Sequence, residues 1–169
     1  MAAFAAVLGA TTALAAGPFR IWSPALTPGA TLPLSSVYNG ASCRGGDTLP
    51  ALAWDGLPAG AKSLALTLFD PDARAGQGWW HWVAVDVPVA SRSSAVLGDS
   101  PALLNDFGKR GYSGPCPPRG SGPHRYVFTV YALDVANLAI DTDTKPAAAA
   151  AIIRTHAIAS ARVAFKYEQ

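Results

Sequence analysis

Three apolar segments with a two-residue period decide what this chain can become: SLALTLF (Ser63 to Phe69), HWVAVDVP (His81 to Pro88) and RYVFTVYAL (Arg125 to Leu133). Each alternates or runs apolar and stops at Asp or Pro, the pattern of strands in a buried sheet. FRIWSP and TLPLSSVYNG, nearer the start, read as shorter edge-like strands, with Pro24 and Pro33 confined to ends or edges where a missing N–H is harmless. Sixteen glycines and fourteen prolines fall singly or in short clusters between these segments, so they punctuate turns. At 169 residues with 50% hydrophobic content the chain can bury one good core, and its length asks for no second domain.

The period changes after Leu138. In KPAAAAAIIRTHAIASARVAFKYEQ, from Lys145, helical spacing puts Ile152, Ile153, His156, Ser160, Val163, Ala164 and Tyr167 on one face. Thr144 is placed to cap such a helix and Pro146 fits its first turn. The expected class is mainly β, antiparallel, with a C-terminal α-helix laid against the sheet.

Residues 1–16, MAAFAAVLGATTALAA, are apolar or small throughout and carry no charge. They are too short to span a bilayer and read as a secretory signal, with ALA at Ala13 to Ala15 suited to cleavage and the folded domain over 17–169. No Lys or Arg precedes the apolar stretch, so an uncleaved arm and a cytoplasmic chain is the other reading. Two cysteines, Cys43 and Cys116, both lie among Gly and Pro. Export favours a bridge between them; two unpaired loop thiols, or a nucleophilic Cys116 served by His124, are the alternatives.

Thirteen Lys and Arg against eleven Asp and Glu leave a net charge of +2 with no basic run, so nucleic-acid binding has no electrostatic footprint here. The chemistry-bearing residues sit at strand ends instead. Asp70 follows the first long strand on a turn that Pro71 stiffens, His81 begins the second, and His124 and Arg125 begin the third after the loop GPCPPRGSGP. Such junctions are where a sandwich presents a site. No phosphate loop, dinucleotide fingerprint or nucleophile elbow occurs; GAKS at Gly60 to Ser63 lacks the glycine spacing.

PALAWDGLPAGAKSLALTLFDPDA, GWWHWVAVDVP, NDFGKRGYSGPCPPRG and HRYVFTVYAL, in this order, resemble the phosphatidylethanolamine-binding protein family, and most closely its bacterial and archaeal YbhB/YbcL or Raf-kinase-inhibitor-like branch. The resemblance runs from about Phe19 to the C-terminus. It implies a β-sandwich of two antiparallel sheets with a small anion pocket at one end, lined by Asp70, Trp79, His81, the Pro115 to Pro118 loop with Cys116 and Pro117, His124 and Tyr126. It matches RTHAIASARVAFKY to the family's C-terminal helix, which makes His156 a packing residue. GGDTLPALAW departs from the branch at Asp47, where an amide is usual, and at Leu49, where a serine is usual. The short ARAGQG linker follows the prokaryotic branch.

These residues suit binding better than catalysis. Two imidazoles and a tyrosine hydroxyl can donate to a phosphate or to a phospholipid head group. Asp70 can fix an imidazole tautomer or meet a ligand ammonium, and Trp79 and Trp80 can wall the pocket and offer a cation–π face. Trp82, inside the strand, reads as core. The resemblance implies no cofactor and no enzyme activity, and it admits an inhibitor-like role towards kinases or proteases with an unnamed protein partner. The rival is a metal-dependent enzyme using Asp70, His81 and His124 as a facial triad.

Overall fold

The computed structural model describes residues 17–97 and 100–169. The expected signal, residues 1–16, lies outside them. The three period-two segments become three adjacent strands of a four-stranded antiparallel sheet of order β6-β5-β7-β8, with β5 (Ser63–Asp70), β6 (Trp79–Pro88), β7 (His124–Leu133) and β8 (Ala157–Tyr167). Both faces are covered, which is why the segments are nearly continuous in apolar residues. On one face Leu64, Leu66 and Leu68 of β5 meet Phe128, Val130, Val163 and Phe165 beneath Ile21 and Trp54. Those two come from β1 (Arg20–Trp22) and β4 (Ala53–Asp55), an antiparallel pair that forms the second layer. On the other face Ala65, Val83, Val85 and Leu133 pack against Ala149 and Ile153 of helix α2 (Pro146–His156).

Neither edge of the large sheet is left bare. Ala30 and Leu32 bond to Lys166 along β8, while Pro101, Leu103, Asp106 and Ser113 bond to Val85, Val83, Trp80 and His81 along β6. Covering an edge in this way removes a template for intermolecular pairing. Among the described residues no helix is long and apolar enough to cross a membrane.

Two local expectations are corrected. TLPLSSVYNG supplies no edge strand of its length; it forms a 3-10 turn over Leu34–Ser36 and then the two-residue β2 (Asn39–Gly40), paired with β3 (Cys43–Arg44). The C-terminal helix is present but stops at His156. Its N-cap is Lys145, with no side-chain cap bond, in place of Thr144, while Pro146 opens the helix as expected. Residues 157–167 are strand β8, paired to β7 from His124↔Tyr167 to Leu133↔Ala157. Ala161, Val163 and Phe165 are the buried residues of that strand, spaced by two. A full ladder of backbone bonds and a period-two apolar face outweigh the modest helix preference of alanine.

Candidate functional site

In an antiparallel sheet the end of β5 lies beside the beginnings of β6 and β7, so Asp70 pairs with Trp79 and Phe69 with Val127. A cavity of about 460 Å³ opens at this end, and Asp70, Trp79, His81, His124 and Tyr126 all line it. Cys116, Pro117 and Pro118 form one wall. Pro115 stands behind that wall, where its carbonyl accepts the amide of Tyr38 at 3.0 Å.

Asp70 is buried and fully engaged. One carboxylate oxygen accepts the amides of Asp72 at 2.8 Å and Ala73 at 3.1 Å. The other accepts Nδ1–H of His124 at 2.7 Å. Of the two roles open to it, tautomer fixing is the one its geometry serves. His124 Nε2 lies 3.0 Å from the Ser121 hydroxyl, which itself donates to the Pro118 carbonyl at 2.8 Å. Ser121 thus links His124 to the loop wall, in a chain Asp70–His124–Ser121–Pro118.

His81 reaches the cavity through a β-bulge. Leu68 faces Trp82 and Phe69 faces Trp80, which leaves His81 as the extra residue of β6. A bulge re-aims a side chain. Here it puts His81 beside Tyr126, at 5.3 Å between ring centroids, while Trp82 still enters the main core. Nδ1–H of His81 donates to the carbonyls of Ser113 at 2.9 Å and Gly114 at 3.1 Å, so the neutral ring keeps its lone pair on Nε2. Burial holds His81 below the usual histidine range, against the opposing pull of those two carbonyls and the Asp70 and Asp106 charges.

Among the described residues, two buried donors on side chains that line the cavity have no partner: the Trp79 indole N–H and the Tyr126 hydroxyl. Burial first, and the nearby Asp70 charge second, push the Tyr126 phenol up, so it stays protonated. Although Asp70 is close, the hydroxyl meets it in no proper hydrogen-bonding geometry. A buried donor left unpaired costs about 1–3 kcal/mol. Trp79 faces Phe107 edge-on at 5.3 Å, whereas Trp80 turns to the opposite side of the sheet against Phe69.

The wall is tied down from behind. Cys116 is joined to Cys43 across 73 residues of sequence, so Cys116 has no thiolate to offer as a nucleophile. Gly114 lies so close to the 36–38 backbone that a Cβ would sit 2.1 Å from the Ser36 carbonyl oxygen, and at Gly45 it would sit 2.0 Å from that of Val37. The Gly114 amide donates to Asp47 Oδ1 at 2.6 Å. Since a side-chain amide oxygen can accept the same bond, Asp47 preserves this contact.

The opposite rim is the turn α1 (Ala73–Gly76), in which Arg74 (φ 51, ψ 46) and Ala75 (φ 53, ψ 39) are both left-handed. The Arg74 guanidinium lies over the Trp79 ring, 4.4 Å from its centroid, and lines the cavity. Sequence reasoning passed over Arg74, Phe107 and Ser121. For Ser121 the signal was its position three residues before His124; nothing in the sequence singled out the other two. Asp70, His81 and His124 all line the cavity, yet among the described residues no group of three His, Cys, Asp or Glu is placed to hold a metal. His156 sits elsewhere, its Nδ1 3.0 Å from Asp134.

The family described as Phosphatidylethanolamine-binding protein matches residues 22–168. UPF0098 protein YbcL of Escherichia coli is 37% identical over 163 residues, 90% of this chain and 89% of that protein. UPF0098 protein YbhB of the same organism is 40% identical over 153 residues, 85% of this chain and 96% of that one. A Mycobacterium tuberculosis relative, described as putative lipoprotein LppC, is 43% identical over 130 residues, 75% of this chain and 61% of that one. The crystal structure of E. coli YbcL superposes with a TM-score of 0.84 at 35% identity, covering 89% of this chain and 98% of that chain.

Proposed function

Because this chain belongs to the phosphatidylethanolamine-binding protein family, we propose that its cavity binds a small oxyanion of the phosphate or phosphomonoester kind, as a receptor or regulator and not as a catalyst. The observation that carries this reading is the pair of buried, unpartnered donors. Among the described residues the Trp79 N–H and the Tyr126 hydroxyl find no acceptor, and both side chains line one cavity. Oxyanion oxygens are strong acceptors for such donors, and water exclusion strengthens each bond. The His124 ring, held in place by Asp70, adds a polar group to the same cavity. His81 meets the ligand as an acceptor while neutral and as a donor once protonated, so it pairs either with a protonated phosphate oxygen or with a bare one.

A binding role is also supported by how the reactive groups are used. The Ser121 hydroxyl is committed to His124 and the Pro118 carbonyl, and Cys116 is bridged. Work outside the cytoplasm is supported by that bridge and by a relative described as a lipoprotein.

The test is calorimetric titration with sulfate and with inorganic phosphate, on either side of the ordinary histidine range, with zinc and iron assayed in the same preparation. One weak site, lost in the Trp79→Phe, Tyr126→Phe double variant, is expected. No binding at either pH, or stoichiometric metal whose removal abolishes an activity, overturns the reading.

A further inference from the structure

The cavity is larger than an oxyanion needs. At about 460 Å³ it falls among sites that hold whole small molecules, which run from about 300 to 1,000 Å³. Its buried end carries the polar groups, Asp70, His81, His124 and Tyr126. Its exposed rim carries Arg74, Ala75 and Pro118. What the rim accepts depends on which charges there remain free.

Both carboxylates lining the cavity are already answered. Asp70 serves His124 and two backbone amides. Asp72 accepts the amide, Nε–H and Nη2–H of Arg125 at 2.8, 2.9 and 2.6 Å. Arg74 by contrast forms no ion pair among the described residues, and it holds the face of Trp79. An aromatic face at the mouth of a pocket is where a ligand ammonium would be received. In this chain the protein's own guanidinium has taken that place.

From this arrangement we infer that Arg74 sets the ligand class, making the cavity select phosphomonoesters whose organic part is uncharged over those carrying an ammonium, ethanolamine included. The inference rests on the oxyanion reading above and narrows it. With the phosphoryl group on the buried donors, the organic substituent leaves past Trp79 and Arg74. An ammonium there meets a like charge and finds no free carboxylate, while an alkyl or aryl group meets Phe107, Pro117 and the alkyl stem of Arg74. The guanidinium adds its own attraction to a phosphate dianion.

Ethyl phosphate and phosphoethanolamine, which differ in the terminal amine, are titrated calorimetrically into the wild type, Arg74→Gln and Arg74→Lys. The titrations are run well above the second phosphate pKa of about 6, so that both probes are dianionic at phosphorus. The wild type is expected to prefer ethyl phosphate about tenfold, a difference of about 1.4 kcal/mol. Arg74→Gln should erase that preference and Arg74→Lys should keep most of it. Sulfate serves as the control for the underlying site. If sulfate binds but the two esters bind equally to the wild type, or their ratio is unchanged in Arg74→Gln, Arg74 does not set specificity. If sulfate and both esters all fail to bind, the oxyanion reading falls and this inference with it.

Discussion

Asp70 and His124 meet at 2.7 Å inside the protein, with side chains only 3% and 7% accessible. The contact joins the end of β5 to the start of β7, and Asp70 also fixes the entry to the α1 turn. Asp70→Ala therefore removes the partner of a buried imidazole and of two amides at once. Chemical denaturation should show a loss of about 3–5 kcal/mol. Asp70→Asn should cost less, but its NH₂ group facing Nδ1 should shift the imidazole to its other tautomer, read from the ring nitrogen resonances of His124.

His81 makes stability depend on pH. Burial depresses its folded pKa, so on acidification the unfolded chain takes up this proton before the folded one does. The stabilisation is complete above the ordinary histidine value of about 6.5 and is lost as pH falls from there through the lower folded value. Urea midpoints measured from about pH 7.5 to 5 should fall, and His81→Asn, which keeps a donor for the Ser113 and Gly114 carbonyls, should flatten that part of the curve. Sulfate accepts and does not donate, so its binding should draw a proton onto His81. Its affinity should rise as pH falls, with a binding heat that depends on the ionisation enthalpy of the buffer.

Tyr126→Phe separates function from stability. The hydroxyl it removes is buried without a partner, so the ligand-free protein should be unchanged or up to about 1 kcal/mol more stable. Sulfate affinity should drop about tenfold, as for one lost charge-assisted hydrogen bond. A large loss of stability would mean that the hydroxyl already has a partner inside the protein.

The Cys43–Cys116 bridge closes a long loop and anchors one wall of the cavity. In the chain-entropy account a loop of 73 residues adds about 4 kcal/mol. Cys43→Ser with Cys116→Ser should lower the denaturation midpoint accordingly and also weaken sulfate binding. Non-reducing mass spectrometry should find the wild type two hydrogens lighter than its reduced form. Two titratable thiols in folded protein would contradict the bridge.

Helix α2 offers a paired test of packing. Ile153 is fully buried against Val83 and Leu133, while its neighbour Ile152 is 37% exposed. Ile153→Ala should cost about 2–4 kcal/mol and Ile152→Ala about 0.5 or less.

The same region shows where sequence reading reached its limit. β5, β6 and β7 were legible to within two residues because both faces of the sheet are buried, and Asp, Pro and the histidines mark their ends. The segment after His156 satisfied two periods at once. Ile153, Val163 and Tyr167 fit a helix; Ala161, Val163 and Phe165 fit a strand; only pairing with β7 decides between them. Asp70, His81 and His124 could be read as strand-end residues from the sequence itself, whereas Trp79 and Tyr126 joined them only through the family resemblance. The bulge at His81 and the position of Arg74 depend on ladder register and on two left-handed residues, for which the sequence holds no local signal.

The two sides of the cavity differ in how freely they can change. The Gly114 wall is backbone against backbone, with no space for even a methyl group and a disulfide behind it, so substitution there should disrupt the fold before it alters the ligand. In the short surface turn α1, Arg74 and Ala75 are exposed and have few obligations to the core. If the cavity holds the oxyanion proposed above, a lineage, or a designer, can retune the cargo by rewriting two adjacent codons while the buried seat stays intact. Homologues with near-identical interiors could in this way serve chemically different ligands.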